Sequence, residues 1–163
     1  MAFAAKEEIL RNIIKTHSTV LIEGWAGTGK TVTSLKAVRG LGDVYYYTES
    51  GAGHTPDIAR YNEKLIILEN AAALRDLPTG KQFVIFDDLN LMGAETRARL
   101  DAMIQEGLKD RKIIVITRVV LDAQDFLERV DAVVRFKHNT AQMLHSKLSE
   151  EDRPEEYHGG DGE

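Results

Sequence analysis

Short apolar runs alternate with amphipathic segments along most of the chain. Strands are predicted where apolar or β-branched residues follow one another, at residues 19–23, 44–48, 64–68, 82–88, 112–117 and 132–136. Helices are predicted where apolar residues recur every three or four positions, at residues 4–16, 32–38, 56–62, 70–77, 94–108 and 123–129. Because apolar strands separated by amphipathic helices are typical of a parallel sheet covered on both faces, the pattern predicts an α/β fold of three layers.

The two ends of the chain differ from the part between them. Residues 1–18 are expected to contribute an amphipathic helix that packs on the core at the sheet edge, since Ile9, Leu10, Ile13 and Ile14 form one apolar stripe. Residues 19–148 carry all the predicted strands and are expected to form one domain. Residues 149–163 contain almost no apolar side chains, so they are predicted to be a disordered acidic tail. A flexible loop is predicted at residues 49–56.

Composition limits the classes of function. With 163 residues, 43% of them hydrophobic, the chain can bury the core of one domain. A net charge of -5 argues against a broadly basic surface for nucleic acids. The absence of cysteine excludes disulfides, thiolate metal sites and thiol nucleophiles. Because Glu7 and Glu8 stand where a signal peptide is basic or apolar, and no apolar run is long enough to span a bilayer, we expect a soluble cytoplasmic protein without membrane insertion.

A glycine-rich stretch between the first predicted strand and the next helix has the pattern G-x-x-x-x-G-K-[ST] of a phosphate-binding loop. Its residues are Gly24, Trp25, Ala26, Gly27, Thr28, Gly29, Lys30 and Thr31. Glycines allow the backbone N–H groups to converge on phosphate oxygens, and the following helix N-terminus adds positive potential. We therefore expect a nucleoside triphosphate, with Lys30 at the β- and γ-phosphates and the Thr31 hydroxyl on Mg²⁺. The alternative, a turn that binds nothing, is disfavoured by the flanking strand and helix.

Acidic residues follow two of the predicted strands. In open α/β sheets ligands bind beyond the carboxyl ends of the strands, so these residues are candidates for a site. Asp87 ends the apolar run from Phe83 and is expected to hold Mg²⁺, directly or through water, unless it only caps the next helix. Glu49 is a candidate general base for the water that attacks the γ-phosphate, unless it is only an exposed glutamate of the loop. Asp88, which directly follows the metal aspartate, is the rival base.

In these segments the chain resembles RecA-like ATPases, the class of the RadA-, KaiC- and DnaB-like proteins. The resemblance covers residues 19–137 and rests on four segments besides the phosphate-binding loop, namely residues 44–49, 83–88, 113–119 and 132–137. It implies a RecA-like topology and ATP with Mg²⁺ as cofactors. It also implies Lys30 and Thr31 as contacts to phosphate and metal, Glu49 as base and Asp87 as metal ligand. Thr117 stands where such proteins often carry a polar sensor of the γ-phosphate.

The chain also departs from that class. Arg118 replaces the glutamine that couples nucleotide to DNA in the recombinases, and the connections at residues 89–93 and 119–124 are short where recombinases have DNA-binding loops. We therefore expect no binding to nucleic acid. The class carries trans-acting cationic fingers on a hairpin beyond the last core strand, whereas this chain is expected to continue from residue 136 into Asn139, Thr140 and a tail. Arg118, Arg135 and Lys137 are the remaining finger candidates, although the interpretation of each as an ordinary surface or ion-pairing residue is favoured.

Several functions remain open. The leading hypothesis is a slow, Mg²⁺-dependent ATPase with a regulatory or accessory role, which binds ATP and ADP and works with a protein partner or with further copies of itself. A nucleotide-gated interaction module with incidental hydrolysis and a DNA-linked motor or recombinase paralogue are the alternatives. A small-molecule kinase would have to use the residues 109–112 as its lid, and a GTPase is disfavoured because no Asn-Lys-x-Asp motif occurs.

Overall fold

A twisted seven-stranded sheet forms the centre of the protein in a computed structural model that describes residues 2–49 and 55–148. In chain order its strands are β1 (Thr19–Glu23), β2 (Asp43–Thr48), β3 (Leu65–Ile67), β4 (Gln82–Asp87), β5 (Arg111–Thr117), β6 (Ala132–Phe136) and β7 (Ala141–Ser146). Their order across the sheet is β3-β2-β4-β5-β1-β6-β7. The pairs from β3 to β6 are parallel, and β7 runs antiparallel to β6.

Helices cover both faces of this sheet. The helices are α1 (Ala2–Thr16), α2 (Lys30–Ala37), the short α3 (Thr55–Ile58) and α4 (Ala94–Glu106), with 3₁₀ segments at Ala59–Tyr61, Ala71–Arg75, Leu89–Leu91 and Val120–Phe126. On one face, residues of α1 and α2 such as Leu10 and Leu35 share a buried cluster with Ile22 and Val134. On the other face, Leu100 of α4 belongs to a second buried cluster. The predicted three-layer α/β fold with a mainly parallel sheet is therefore confirmed.

The strand order brings the candidate residues together at the carboxyl ends of the parallel strands. β1, which leads into the phosphate-binding loop, lies between β5 and β6, and one strand, β5, separates it from β4. Glu23 at the end of β1 is in register with Thr117, and Thr48 at the end of β2 is in register with Asp87. Because these strands are parallel, their carboxyl ends lie together. This places the residue after β2, Glu49, beside the end of β4.

The structure corrects the sequence prediction at the end of the domain. We expected no hairpin strand between residue 136 and the tail, whereas β6 turns into the antiparallel strand β7. The burial of β7 is irregular, since Leu144 and His145 are exposed between the buried Met143 and Ser146, and this left no apolar run or clean alternation to predict it from. The last parallel strand, β6, therefore forms a hairpin with β7.

Two predicted helices are 3₁₀ segments in the structure, one of them shorter than predicted and the other displaced along the chain. The segment at residues 70–77 is a 3₁₀ segment of five residues, and Pro78 prevents its extension. The segment predicted at residues 123–129 lies earlier, at Val120–Phe126, with a kink at Ala123. The other predicted helices and strands are confirmed within a few residues. Most of the loop predicted at 49–56 and the tail predicted from 149 lie outside the described residues.

The N-terminal helix packs as the apolar stripe predicts. Ile9, Leu10, Ile13 and Ile14 are buried, and they share one cluster with residues of α2, β1, β6 and β7. The contact thus begins at the edge strand β7, where Met143 lies, and continues inward to β1. At the end of α1, the His17 ring contacts the Ser146 hydroxyl at 2.7 Å, which connects the helix to β7 a second time.

Candidate nucleotide site

The phosphate-binding loop connects β1 to α2 by a backbone path that only glycine adopts without strain. Gly27 and Gly29 have φ angles of 84° and 80°, in the left-handed region. Gly24 is required for a different reason, because a Cβ there would lie 2.7 Å from the Phe136 carbonyl oxygen on β6. The Gly24 N–H donates to the carbonyls of Thr117 and Arg118 at the end of β5. The loop is therefore fixed to both neighbours of β1.

Lys30 lies across this loop. Its Nζ donates to the carbonyl oxygens of Gly24, at 2.5 Å, and Trp25, at 3.0 Å. Burial lowers the pKa of the ammonium group, and the charges of Asp87 and Asp88 act in the opposite direction. The cation thus lies between the loop backbone and the acidic end of β4, the position from which a lysine can exchange its carbonyl contacts for phosphate oxygens.

Thr31, Asp87 and Tyr46 form a connected group at the start of α2. Asp87 Oδ2 accepts hydrogen bonds from the Thr31 hydroxyl at 2.7 Å and from the buried Tyr46 hydroxyl at 2.5 Å. Burial raises the pKa of Asp87, although both hydrogen bonds favour its ionised form. Burial and the Asp87 charge also raise the pKa of Tyr46, so this hydroxyl remains a donor. The structure therefore brings together Thr31 and Asp87, the two residues predicted to ligate a metal.

Glu49 makes contacts that the sequence did not indicate. Its Oε1 accepts the Gly93 N–H at 3.0 Å, and its Oε2 accepts the Tyr47 hydroxyl at 2.8 Å and the Thr96 hydroxyl. Gly93 is the N-cap of α4 and has no side chain, so Glu49 satisfies a free donor at that helix end. Desolvation opposes ionisation of Glu49, but these hydrogen bonds outweigh it and hold its pKa below the ordinary value.

Asp88 and Thr117 lie at the same edge of the sheet. Asp88 has a φ angle of 61°, a left-handed conformation that Asp and Asn tolerate better than other residues with a side chain. It caps the short 3₁₀ segment Leu89–Leu91, whose Leu91 N–H donates to the Asp88 carbonyl. Thr117 is buried at the end of β5, beside the first glycine of the loop, and its hydroxyl lies 3.4 Å from the Val119 carbonyl oxygen.

An open cavity of about 710 Å³ adjoins the phosphate-binding loop. The apolar residues Trp25, Val119, Leu121 and Phe136 line it, together with the cationic residues Arg118, Arg135 and Lys137. Trp25 and Leu121 are 72% and 70% exposed, which is unusual for large apolar residues. Arg135 pairs with Glu23, so this finger candidate has an ion-pair partner within its own chain.

Sequence reasoning found the loop and the carboxylates but missed the hydroxyl groups that hold the carboxylates. Tyr46 could have been found from strand alternation, because it lies two residues before Thr48, which is in register with Asp87. The same alternation places Tyr47 beside Glu49, two residues further on. Thr96 carries no such signal. It contacts Glu49 only because α4 begins near the end of β2, a tertiary contact that no local pattern encodes.

Comparisons with known proteins support the fold of the chain only. No model of a protein family matches the chain, and no curated protein sequence does. Among solved structures, a protein from Pyrococcus horikoshii OT3 aligns over 82% of this chain and 88% of its own, with a TM-score of 0.54 at 9% identity.

Two further solved structures are those of ATPases. EscN, the assembled ATPase of the enteropathogenic E. coli type III secretion system, aligns over 82% of this chain with a TM-score of 0.54 at 9% identity. EccC from Thermomonospora curvata, in a structure of its ATPases 2 and 3, aligns over 75% with a TM-score of 0.51 at 12% identity. The chain spans 45% and 30% of those two chains. Together with the strand order, these likenesses show a RecA-like P-loop ATPase fold.

A last structural finding concerns membranes. Within the described ranges, every helix is too short or too polar to cross a lipid bilayer.

Proposed function

We propose that the protein binds ATP with Mg²⁺ at the phosphate-binding loop and hydrolyses it slowly, as a regulatory or accessory ATPase of the cytoplasm. The contact between the Thr31 hydroxyl and Asp87 is the observation that carries this proposal. It joins the last residue of the loop to the end of β4, two segments 56 residues apart in the sequence. A merely structural glycine turn has no need of a buried carboxylate at that position.

The residues present fit a nucleotide-bound magnesium ion. Mg²⁺ is usually held by one or two protein oxygens, with phosphate and water as its other ligands. Thr31 and Asp87 supply such a pair, and elsewhere in the described chain no group of three or more His, Asp or Glu side chains could hold a metal. The metal would neutralise charge on the phosphates. Lys30 and the backbone N–H groups of the loop would hold those phosphates in place.

The cavity beside the loop is the proposed place for the nucleoside. Its volume of about 710 Å³ lies in the range of small-ligand sites. The exposed aromatic ring of Trp25 offers a surface for a base, and Arg118 and Lys137 offer donors. ATP and ADP are the proposed ligands, adenine being the default base of this fold.

Slow turnover follows from the contacts of the proposed base. Glu49 has a lowered pKa and three donors around its carboxylate, which make it a weak proton acceptor in this conformation. An arginine finger supplied by another protein can raise the hydrolysis rate on the order of 10³- to 10⁵-fold. In this chain the finger candidate Arg135 forms an ion pair with Glu23.

A nucleotide-gated interaction module is the second candidate. It is favoured by the exposure of Trp25 and Leu121 beside the loop, since these side chains could report nucleotide state to a protein partner or to another copy of the chain. EscN was solved in complex with its central stalk and EccC with a signal peptide, so a protein partner is the proposed class. Nucleic acid is not proposed, because of the acidic composition.

Phosphate release tests the ATPase proposal. The wild-type protein is expected to release phosphate from ATP only with Mg²⁺, at about 10⁻⁴ to 10⁻² per second, the range of P-loop hydrolases that act without a trans finger. Lys30→Ala should reduce this release to background. Lys36→Ala is the matched control, because it removes the same charge from an exposed position of α2. Release that survives Lys30→Ala would show that the activity does not come from this site.

A further inference from the structure

Lys6 is a buried cation that the proposed function does not use. It lies in α1, and its side chain is 1% exposed. Its Nζ donates to the carbonyl oxygens of Thr28 at 2.7 Å, Lys137 at 3.1 Å and His138 at 3.3 Å. The ammonium group also lies 5.0 Å from the centre of the Phe136 ring. One side chain thus joins three segments: the N-terminal helix, the phosphate-binding loop and the turn after β6.

The contact to Thr28 fixes the orientation of one peptide group in the loop. In a trans peptide the C=O and the following N–H point in opposite directions, and the described chain has no cis peptide bond. Because Lys6 holds the Thr28 carbonyl toward α1, the Gly29 N–H points away from α1. Gly29 precedes Lys30 and Thr31, whose N–H groups begin α2. These are the donors that a bound phosphate would use.

The same cation supports the loop from the β6 side. Phe136, which lies under the ammonium group, also contacts the loop, since its carbonyl oxygen and Cβ leave no room for a Cβ at Gly24. Lys6 therefore holds the turn that follows Phe136 and the loop residue Thr28 at a fixed separation. Burying an ammonium group is costly, and packing of α1 alone would be served by an apolar residue at this position.

We propose that Lys6 is a positioning residue for phosphate binding, which orients the Thr28–Gly29 peptide of the loop and links the docking of α1 to nucleotide occupancy. This inference rests on the proposed function. Lys6 acts through the loop backbone, and its positive charge behind the loop adds to the potential that attracts phosphate. Since coupling between two sites is reciprocal, nucleotide binding should stabilise the docked helix as much as the docked helix stabilises bound nucleotide.

The test compares Lys6→Met with Lys15→Met. Both variants remove one charge from α1, but Lys15 is exposed at its other end. Because Lys6 also holds the carbonyls of Lys137 and His138 beside the cavity, Lys6→Met can weaken adenosine binding to some extent. Calorimetry should show that it weakens Mg²⁺–ATP binding by a further factor of about 10 or more. Lys15→Met should bind both as the wild type does. A loss of adenosine and ATP binding by the same factor would indicate general damage to the fold and overturn the proposal, as would unchanged ATP binding.

Hydrogen exchange of the wild-type protein gives a second test that needs no variant to fold. On adding Mg²⁺–ATP, amide exchange should slow in α1 as well as in residues 24–31. Protection of the loop with unchanged exchange in α1 would overturn the link between them. If the wild-type protein binds no ATP by calorimetry, the proposed function fails and this inference fails with it. If it binds ATP and Lys6→Met binds equally well, the inference alone fails.

Discussion

Replacing Glu49 by Gln is expected to lower the rate of ATP hydrolysis by about 10²- to 10⁴-fold, with the dissociation constant of ATP nearly unchanged. Gln keeps the size of the side chain and can still accept a hydrogen bond from Gly93 or Thr96, but it cannot take a proton from water. Single-turnover phosphate release, measured beside ATP binding by calorimetry, separates the two quantities.

Asp88→Asn is the matched control for that experiment. Asn tolerates the left-handed backbone found at Asp88, so the variant removes a charge without disturbing the turn after β4. Its effect on hydrolysis should be smaller than that of Glu49→Gln. Loss of turnover in Asp88→Asn with normal turnover in Glu49→Gln would make Asp88 the base. Small and equal effects of both variants would favour the nucleotide-gated module.

Asp87→Asn is expected to lower Mg²⁺-dependent hydrolysis by about 10²-fold or more, because it removes the charged oxygen proposed to hold the metal. The same change should raise the midpoint of thermal unfolding at neutral pH without Mg²⁺ or nucleotide. Burial raises the pKa of Asp87, so ionised Asp87 destabilises the fold, whereas Asn can still accept from Thr31 and Tyr46.

The sign of this stability effect can be checked with pH. A group whose pKa is raised in the folded protein binds its proton more tightly there, so the wild-type protein should recover stability as pH falls through that raised pKa. The advantage of Asp87→Asn should therefore shrink in acid. Asp43→Asn, at the exposed start of β2, should change neither stability nor hydrolysis. A lower unfolding midpoint for Asp87→Asn at neutral pH would contradict the account of a costly buried charge.

The local sequence was sufficient to predict those features of the fold that are determined within a single segment of the chain. The glycine pattern of residues 24–31 requires the positive φ angles found at Gly27 and Gly29. The apolar run from Phe83 to Asp87 is too short for a typical helix and predicts a buried strand, and all six residues of β4 are buried. Parallel strands then bring their ends together, and this is why the approach of Thr31 and Asp87 could be anticipated.

The remaining features depend on contacts between distant segments. Glu49 lies against α4 because the Gly93 N–H and the Thr96 hydroxyl are free donors near the end of β2, a pairing with a separation of more than 40 residues. Strand β7 depends on pairing with β6, since its own sequence has too few apolar residues in register to indicate a strand. The Lys6 contacts span up to 132 residues, so an amphipathic helix pattern gives no sign that this lysine is buried.

A titration of Trp25 fluorescence with ATP tests the central claim most directly. Trp25 is the single tryptophan of the chain, lies within the phosphate-binding loop and is 72% exposed. We expect a saturable shift in its emission when ATP is added with Mg²⁺, and no shift in Lys30→Ala. An unchanged spectrum of the wild-type protein, together with no heat of ATP binding by calorimetry, would contradict nucleotide binding at this loop.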